Sequence, residues 1–514
     1  MHTHNSVDPG VGTMIAKRAQ LTPRRRALTF EGVTWSYAEL LDRIDRTASA
    51  LRAGGIERGD RVGYLGLNHP NFFVVFFAAS RIGATFVPIN FRLVGPELVF
   101  VASDSGIKTM VADDMHKPVV DGVRDELPCD RFIGSESGSE GWEDLESLIG
   151  STDPIEAGVR VDGGEVALIM YTSGTTGVPK GAMLTHGNIC WNNINALHAV
   201  DMATDEVALV VAPLFHIGGL NVTTLVCWQK GGEIVLHRSF DPGATLEAIP
   251  EHGITNMFGV PAMFLFMSQH PAFDNTDFTS VRVFVVGGAP VPEPLTKLYL
   301  SKGVNFAQGY GLTETSPLCS FLLPEYALEK VGSAGFAPLY TELAILDGEG
   351  NSLEAGERGE ICVRGPNVMA GYWNRPDATA EAIDEDGWFH SGDVGILDDD
   401  GFLFVLDRLK DMVISGGENV YPAEVESVLY EHDAVAEVAI IGLPDERWGE
   451  AVTAVIACGE GQDVSLDELR AFGGERLAKY KLPIRLHTIS ALPRNPAGKV
   501  LKFELREQLE THDG

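Results

Sequence analysis

Cysteine is scarce in this 514-residue chain: six residues, scattered, with no C-x-x-C pair. That argues against a disulfide scaffold and against a zinc site, and it fits a reducing cytoplasm. Basic residues are also few. Lys plus Arg number 39 against 72 Asp plus Glu, a formal charge of −33. Such a surface repels nucleic acid, and a polyanionic ligand needs a local cationic pocket. Long apolar runs are missing. The longest, FFVVFFAAS at 72–80, stops at Arg81, well short of the roughly 20 residues that cross a bilayer. It reads as core. The first residues, MHTHNSVDPG, show no basic-then-apolar secretion signal. What remains is ordinary for a globular protein: 45% apolar and 22% charged residues. A cytoplasmic location is expected.

The stretch that organises the rest is YTSGTTGVPKG at 171–181. An apolar strand-type run, EVALIMY, precedes it. Glycines such as Gly174 let backbone N–H groups approach an anion. The hydroxyls of Thr172, Ser173, Thr175 and Thr176 donate to its oxygens, and Lys180 adds a point charge. On composition alone a polar surface loop reads equally well. The stretch is not a Walker A loop, which from Gly174 would need Gly at 179 and Ser or Thr at 181, where the chain has Pro179 and Gly181. As an ordered string it resembles the phosphate-binding signature of the adenylate-forming superfamily. That superfamily includes acyl-CoA synthetases, firefly-type luciferases and the adenylation domains of peptide synthetases. The resemblance implies that Thr172 to Thr176 and Lys180 bind ATP.

Taken in order, residues 12–58 read as helices flanking a short hairpin, with Ser36 and Glu39 as a capping pair. GDRVGYLGLNHPNFFVVFFAASRIGATFVPIN reads strand, helix, strand, a βαβ unit. IKTMVAD is a further strand, and 134–146 reads as a surface loop. Thr185-His186 opens a helix. Strand-and-turn units follow, ending at His216, Phe258, Gly287-Gly288-Ala289 and Gly309-Tyr310-Gly311. From 331 to about 409, short strands and turns suit a small antiparallel barrel-like subdomain. After Lys410 the chain restarts as an α+β domain of about 100 residues. The expected fold class is α/β: an N-terminal domain (1–409) of two doubly wound α/β subdomains plus a small β-barrel, and a mobile α+β C-terminal domain (410–514).

The resemblance continues through these blocks. In QGYGLTET it implies Tyr310 beside the adenine between Gly309 and Gly311, Thr313 on the α-phosphate and Glu314 on Mg²⁺. A carboxylate with a hydroxyl at a strand end suits that ion on chemical grounds too. Gly288 and Ala289 lie where a flat or thin ligand can rest on backbone. In SGD and DRLKD, Asp393 and Arg408 are implied to hold the ribose; without the resemblance a surface ion pair serves as well. His216 and Gly218, Phe258 and Val260, and Gly287 are implied to line an acyl pocket, although a histidine after an apolar strand is more often core. Phe215-His216 lacks the carboxylate with which amino-acid-activating domains hold an ammonium group. This favours an acid without an α-amino group. In LPRNPAGKVLK, Lys499 resembles a mobile catalytic lysine. Lys410 is implied to be the hinge, with Ser415, Gly416 and Gly417 lining a pantetheine tunnel.

The blocks DRLKDMVISGGENVYPAEVE and KYKLP resemble actinobacterial-type fatty-acid–CoA ligases most, with coumarate- and succinylbenzoate-type ligases near. The expected reaction is ATP-dependent: a fatty acid gives acyl-AMP and pyrophosphate, then CoA gives acyl-CoA and AMP, with Mg²⁺ as cofactor. Loading of a carrier protein and activation of an aryl acid are the alternatives within the superfamily. A non-catalytic ATP-binding protein is the alternative outside it. A homodimer is allowed without being required, and membrane contact is at most peripheral, since no basic amphipathic stretch is present.

Overall fold

In a computed structural model the described residues are 8–510 apart from 173–178, 201, 290, 409–410, 416–417, 446–447, 460, 475, 478 and 495–499. The chain packs as two compact units, residues 1–343 with 363–389, and residues 344–362 with 390–514.

The first unit is built on two mixed, mainly parallel sheets. The seven-stranded sheet runs, edge to edge, Glu143–Asp144, Arg131–Gly134, Ile107–Ala112, Arg61–Leu65, Thr85–Ile89, Val166–Thr172 and Lys180–Thr185. Arg61–Leu65, the helix Pro70–Arg81 and Thr85–Ile89 form the expected βαβ unit, with Val62 opposite Phe86 in parallel register. The eight-stranded sheet runs Leu318–Leu322, Phe306–Gly311, Val283–Gly287, Asn256–Gly259, Val207–Val210, Glu233–Leu236, Arg26–Phe30 and Val33–Ser36. Its last two strands are the expected hairpin. The helix Tyr37–Ala53 follows, started by a reciprocal cap in which Ser36 Oγ accepts from Glu39 N at 3.3 Å and Ser36 N donates to Glu39 Oε2 at 2.8 Å.

The helix Pro70–Arg81 is buried on every side, which is why its sequence is apolar all round rather than in one stripe. One side meets the seven-stranded sheet, with Phe72 5.0 Å from Phe86 and 5.2 Å from Tyr64 between ring centroids. Phe73 and Phe77 meet Trp228 of the helix Thr224–Lys230 at 4.6 and 5.4 Å. It therefore belongs to the same core as residues of the eight-stranded sheet. No helix of the described residues is long and apolar enough to cross a membrane.

The segment 134–146 is an exposed loop at 138–141, as expected, but departs from the surface-loop expectation at its ends. Ser135 is fully buried and its N–H donates to Ala112 O, and Glu143–Asp144 adds an edge strand beside Arg131–Gly134. The polar composition there serves strand-edge pairing rather than solvation alone.

Most of a four-stranded sheet belongs to the second unit: Glu342–Leu346, Gly359–Arg364, Phe389–Leu397 and Leu403–Arg408. It is the small β subdomain expected from the strand-and-turn pattern. A five-stranded sheet follows, with the long antiparallel pair Val435–Asp445 and Gly449–Cys458 at its centre and the helices Pro422–Leu429, Leu466–Gly474 and Lys502–Glu510 around it. Packing thus groups much of the 342–408 sheet with the C-terminal residues. Lys410, the expected hinge, lies outside the described residues.

Candidate active site

Four neighbouring parallel strands of the eight-stranded sheet, Val207–Val210, Asn256–Gly259, Val283–Gly287 and Phe306–Gly311, carry about half of the expected site residues at or just beyond their carboxyl ends. These are His216 and Gly218, Phe258 and Val260, Gly287 to Ala289, and Gly309 to Glu314. Carboxyl ends of parallel strands are where open α/β sheets bind ligands, because no crossover covers that edge.

The stems of the phosphate-type loop come from the other sheet. Strands Val166–Thr172 and Lys180–Thr185 pair antiparallel with Thr172 opposite Lys180, so the two stems lie side by side. Ser173, Gly174, Thr175 and Thr176 lie outside the described residues. The stem meets the other sheet at Glu314, which is buried in a 3₁₀ turn, Thr313–Thr315, directly after strand Phe306–Gly311. Thr172 Oγ1 donates to Glu314 Oε1 at 3.4 Å, and the Tyr372 hydroxyl donates to the same oxygen at 2.9 Å. Lys180 Nζ lies 5.1 Å from the centroid of the Tyr372 ring. A lysine, a carboxylate and two hydroxyls from three separate stretches of chain therefore meet at one place. Burial and the Glu314 charge push the Tyr372 phenol well above its ordinary range, so it remains a hydrogen-bond donor.

Backbone pairing sets Tyr372. Met183 N donates to Gly371 O, Ala370 N to Met183 O and Trp373 N to Gly181 O, while Met369 N donates to Glu314 O at 2.7 Å. Buried asparagines pin the incoming segment. Asn188 Nδ2 donates to Pro366 O and Val368 O, and Asn367 Nδ2 to Thr315 O and Leu318 O. Sequence reasoning misses Tyr372, Asn188 and Asn367. AGYW reads as one more strand-and-turn in a barrel, and an asparagine that bonds a carbonyl 178 residues away leaves no local signal.

Glycine matters at two of these positions through close approach. A Cβ on Gly311 would lie 1.7 Å from Pro317 O, and one on Gly287 2.9 Å from Gly309 O. Gly218 works differently: its missing Cβ makes room for the Phe258 ring, which would otherwise stand 2.7 Å away. Phe258 is thus seated between Gly218 and Gly287. Val260 Cγ1 approaches Gly288, whose φ is +83°, and Gly288 and Ala289 form an exposed rim.

The His216 ring lies tilted at 42° against Phe215 with centroids 4.2 Å apart, and Phe215 meets Phe91 edge-on at 5.2 Å. Its Nε2 is buried and makes no hydrogen bond among the described residues. Burial, helped by the nearby Arg92 charge, lowers its pKa to about 4. At neutral pH the ring is an uncharged, aromatic-lined wall.

In the second unit Asp393 sits opposite Arg408 in the antiparallel pair Phe389–Leu397 and Leu403–Arg408. Asp393 is buried and its N–H donates to Ser391 Oγ at 3.0 Å. Ser415 is buried too. The Arg408 side chain and Lys410, Gly416, Gly417 and Lys499 lie outside what the structure describes.

The family model of the AMP-binding enzymes matches residues 15–373, and that of the AMP-binding enzyme C-terminal domain matches 424–499. A feruloyl-CoA synthase from Amycolatopsis sp. is 45% identical, covering 97% of this chain and 99% of the relative. The long-chain-fatty-acid–CoA ligase FadD13 of Mycobacterium tuberculosis is 40% identical, covering 97% and 98%. Among solved structures, ATP-bound MatB from Rhodopseudomonas palustris superposes with a TM-score of 0.91 at 30% identity, covering 99% of this chain and 100% of that one.

Proposed function

Since the chain belongs to the AMP-binding enzyme family, on the acyl-CoA synthetase branch of the adenylate-forming enzymes, we propose that it joins a hydrophobic carboxylic acid to CoA in two steps at the expense of ATP. In the first, a carboxylate oxygen attacks the α-phosphorus of ATP and pyrophosphate leaves, giving acyl-AMP. In the second, the CoA thiol attacks the acyl carbon and AMP leaves. The convergence of Thr172 and Tyr372 on buried Glu314, with Lys180 beside the Tyr372 ring, carries this reading.

Phosphoryl transfer needs positioning and charge neutralisation more than covalent help from the protein. Lys180 and the hydroxyls of Thr172, Ser173, Thr175 and Thr176 bind the phosphates. Tyr310 packs beside the adenine against Gly288, Ala289, Gly309 and Gly311. Thr313 binds the α-phosphate, and Asp393 with Arg408 takes the ribose. The donor set fits Mg²⁺, a hard ion that binds through one carboxylate plus substrate phosphates. Glu314 would hold it, with Tyr372 fixing one carboxylate oxygen. The ion would supply Lewis-acid neutralisation of phosphate charge. Lys499 stabilises charge in the first step only. A swing of the C-terminal residues about Lys410 then withdraws it and brings Ser415, Gly416 and Gly417 to the pantetheine arm.

An aryl acid is the first reading for the substrate. Phe258, His216, Phe215 and Phe91 make aromatic walls, the Phe258 ring occupies the gap between Gly218 and Gly287, and the relative that acts on ferulate is 45% identical. A fatty acid is the second, favoured by the similarity to FadD13 and by a neutral His216. In the test, AMP release is measured with acids from acetate through palmitate to coumarate and ferulate, each with and without CoA. A kcat/KM at least tenfold higher for the aryl acids supports the first reading. The reverse order supports the second. Acyl-AMP made with either class but passed only to a carrier protein would overturn CoA as acceptor.

A further inference from the structure

Apart from the nucleotide site, one cluster of metal-type donors stands out among the described residues: Glu360, Cys362 and His390, whose donor atoms all lie within 4.8 Å of one another. They sit on two strands of the small sheet, Gly359–Arg364 and Phe389–Leu397. Cys362 Sγ is 3.4 Å from His390 Nδ1, which is 2.8 Å from Glu360 Oε2. The other oxygen of Glu360 accepts from Gly392 N at 2.8 Å. This second contact fixes the carboxylate, as the outer contacts of metal ligands do. Cys362 is fully buried at the floor, while the Glu360 and His390 side chains remain 22% and 26% exposed, so the mouth opens on one side.

We propose that Glu360, Cys362 and His390 form a binding site for a borderline-soft divalent cation of the Zn²⁺ type, with the fourth tetrahedral position open to water. Thiolate, imidazole and carboxylate are the three zinc donors of proteins, with bonds of about 2.3, 2.0–2.1 and 2.0–2.2 Å. In a tetrahedron these bonds put sulfur and nitrogen roughly 3.6 Å apart and nitrogen and oxygen roughly 3.4 Å apart. The sulfur–nitrogen spacing is nearly there already. The Glu360 oxygen needs to retreat by about half an ångström, within reach of a part-exposed side chain. Hard ions such as Mg²⁺ are disfavoured by the sulfur. The spacing of cysteines in the sequence argues against zinc because it offers no cysteine pair. The fold supplies the third donor from 28 residues away instead.

Binding needs the Cys362 thiolate and a neutral His390 with no proton on Nδ1, so at least the thiol proton is released to solvent and affinity falls as pH falls. The ion ties the two strands together three residues before Asp393. The site does not depend on the reaction proposed above, and its test needs no turnover.

The experiment titrates the full-length protein with Co²⁺ alone and reads the near-ultraviolet sulfur-to-cobalt charge-transfer band. The expected result is one equivalent bound with a thiolate band that Zn²⁺ displaces. Cys362→Ser should abolish the band, and His390→Gln and Glu360→Gln should each weaken binding by about tenfold or more. Sites lacking sulfur, such as the histidines near the N-terminus, give no such band. Melting temperature should rise with Zn²⁺ in the wild type and stay unchanged in Cys362→Ser, a readout that also shows whether the variant is folded. A missing band, or a band unchanged in Cys362→Ser or in both conservative variants, overturns the proposal.

Discussion

Tyr372 is the residue whose partner is least expected from its surroundings in the chain. Its hydroxyl donates to Glu314 at 2.9 Å, and a hydrogen bond to a charged group contributes about 1.5–3 kcal/mol. Tyr372→Phe should therefore lower kcat/KM for ATP by about 10- to 100-fold and lower the melting temperature by a few degrees at most, as steady-state kinetics and a thermal scan would show. Glu314→Gln removes the charge itself and should cost more, on the order of 10²- to 10³-fold in acyl-AMP formation. At this scale pH acts through buried histidine. His186 is buried, its Nδ1 accepts from Val11 N at 3.3 Å, and burial lowers its pKa to about 4. The unfolded chain takes up that proton near pH 6.5 and the folded chain only near pH 4. Stability from this group is thus complete above pH 6.5 and lost as pH falls toward 4, roughly 3 kcal/mol in all. Urea melts at pH 7 and pH 5 should show a smaller loss in His186→Gln than in the wild type.

At the scale of elements, two packing claims can be checked. Phe73 is fully buried against Trp228, and Phe73→Ala should cost about 3–5 kcal/mol, measured by denaturant unfolding. A Cβ at position 311 would lie 1.7 Å from Pro317 O, so Gly311→Ala must displace backbone beside Glu314. It should lower the melting temperature and acyl-AMP formation together. Local signals announced several elements well. The Ser36–Glu39 cap and the helix after it, the βαβ unit at 61–89 and the helix opened by Thr185 all follow from short-range rules. Glu314 and the two stems of the phosphate-type loop were also legible, because their motifs are contiguous. Sheet order was not. Strand Arg26–Phe30 pairs with Glu233–Leu236, a contact between distant segments on which periodicity is silent. Tyr372, Asn188 and Asn367 were hidden for the same reason. The 134–146 expectation held for the exposed middle and failed at the ends, because polar residues that pair at a sheet edge look, in sequence, like residues that face water.

At the scale of the whole molecule, one site is proposed to serve two reactions in turn. Lys499→Ala should slow acyl-AMP formation by about 10²-fold or more, while thioester formation from supplied acyl-AMP and CoA stays within about twofold of the wild type. A rigid substitution at the proposed hinge, Lys410→Pro, should do the opposite, sparing the first step and blocking the second. Equal losses in both steps for Lys499→Ala would remove that lysine from its assigned role. The most direct test of the account is the exchange of labelled pyrophosphate into ATP, with CoA left out. Exchange that requires a hydrophobic acid, and that disappears in Glu314→Gln, is the expected result. Exchange without any acid, or equal exchange in wild type and Glu314→Gln, would contradict it.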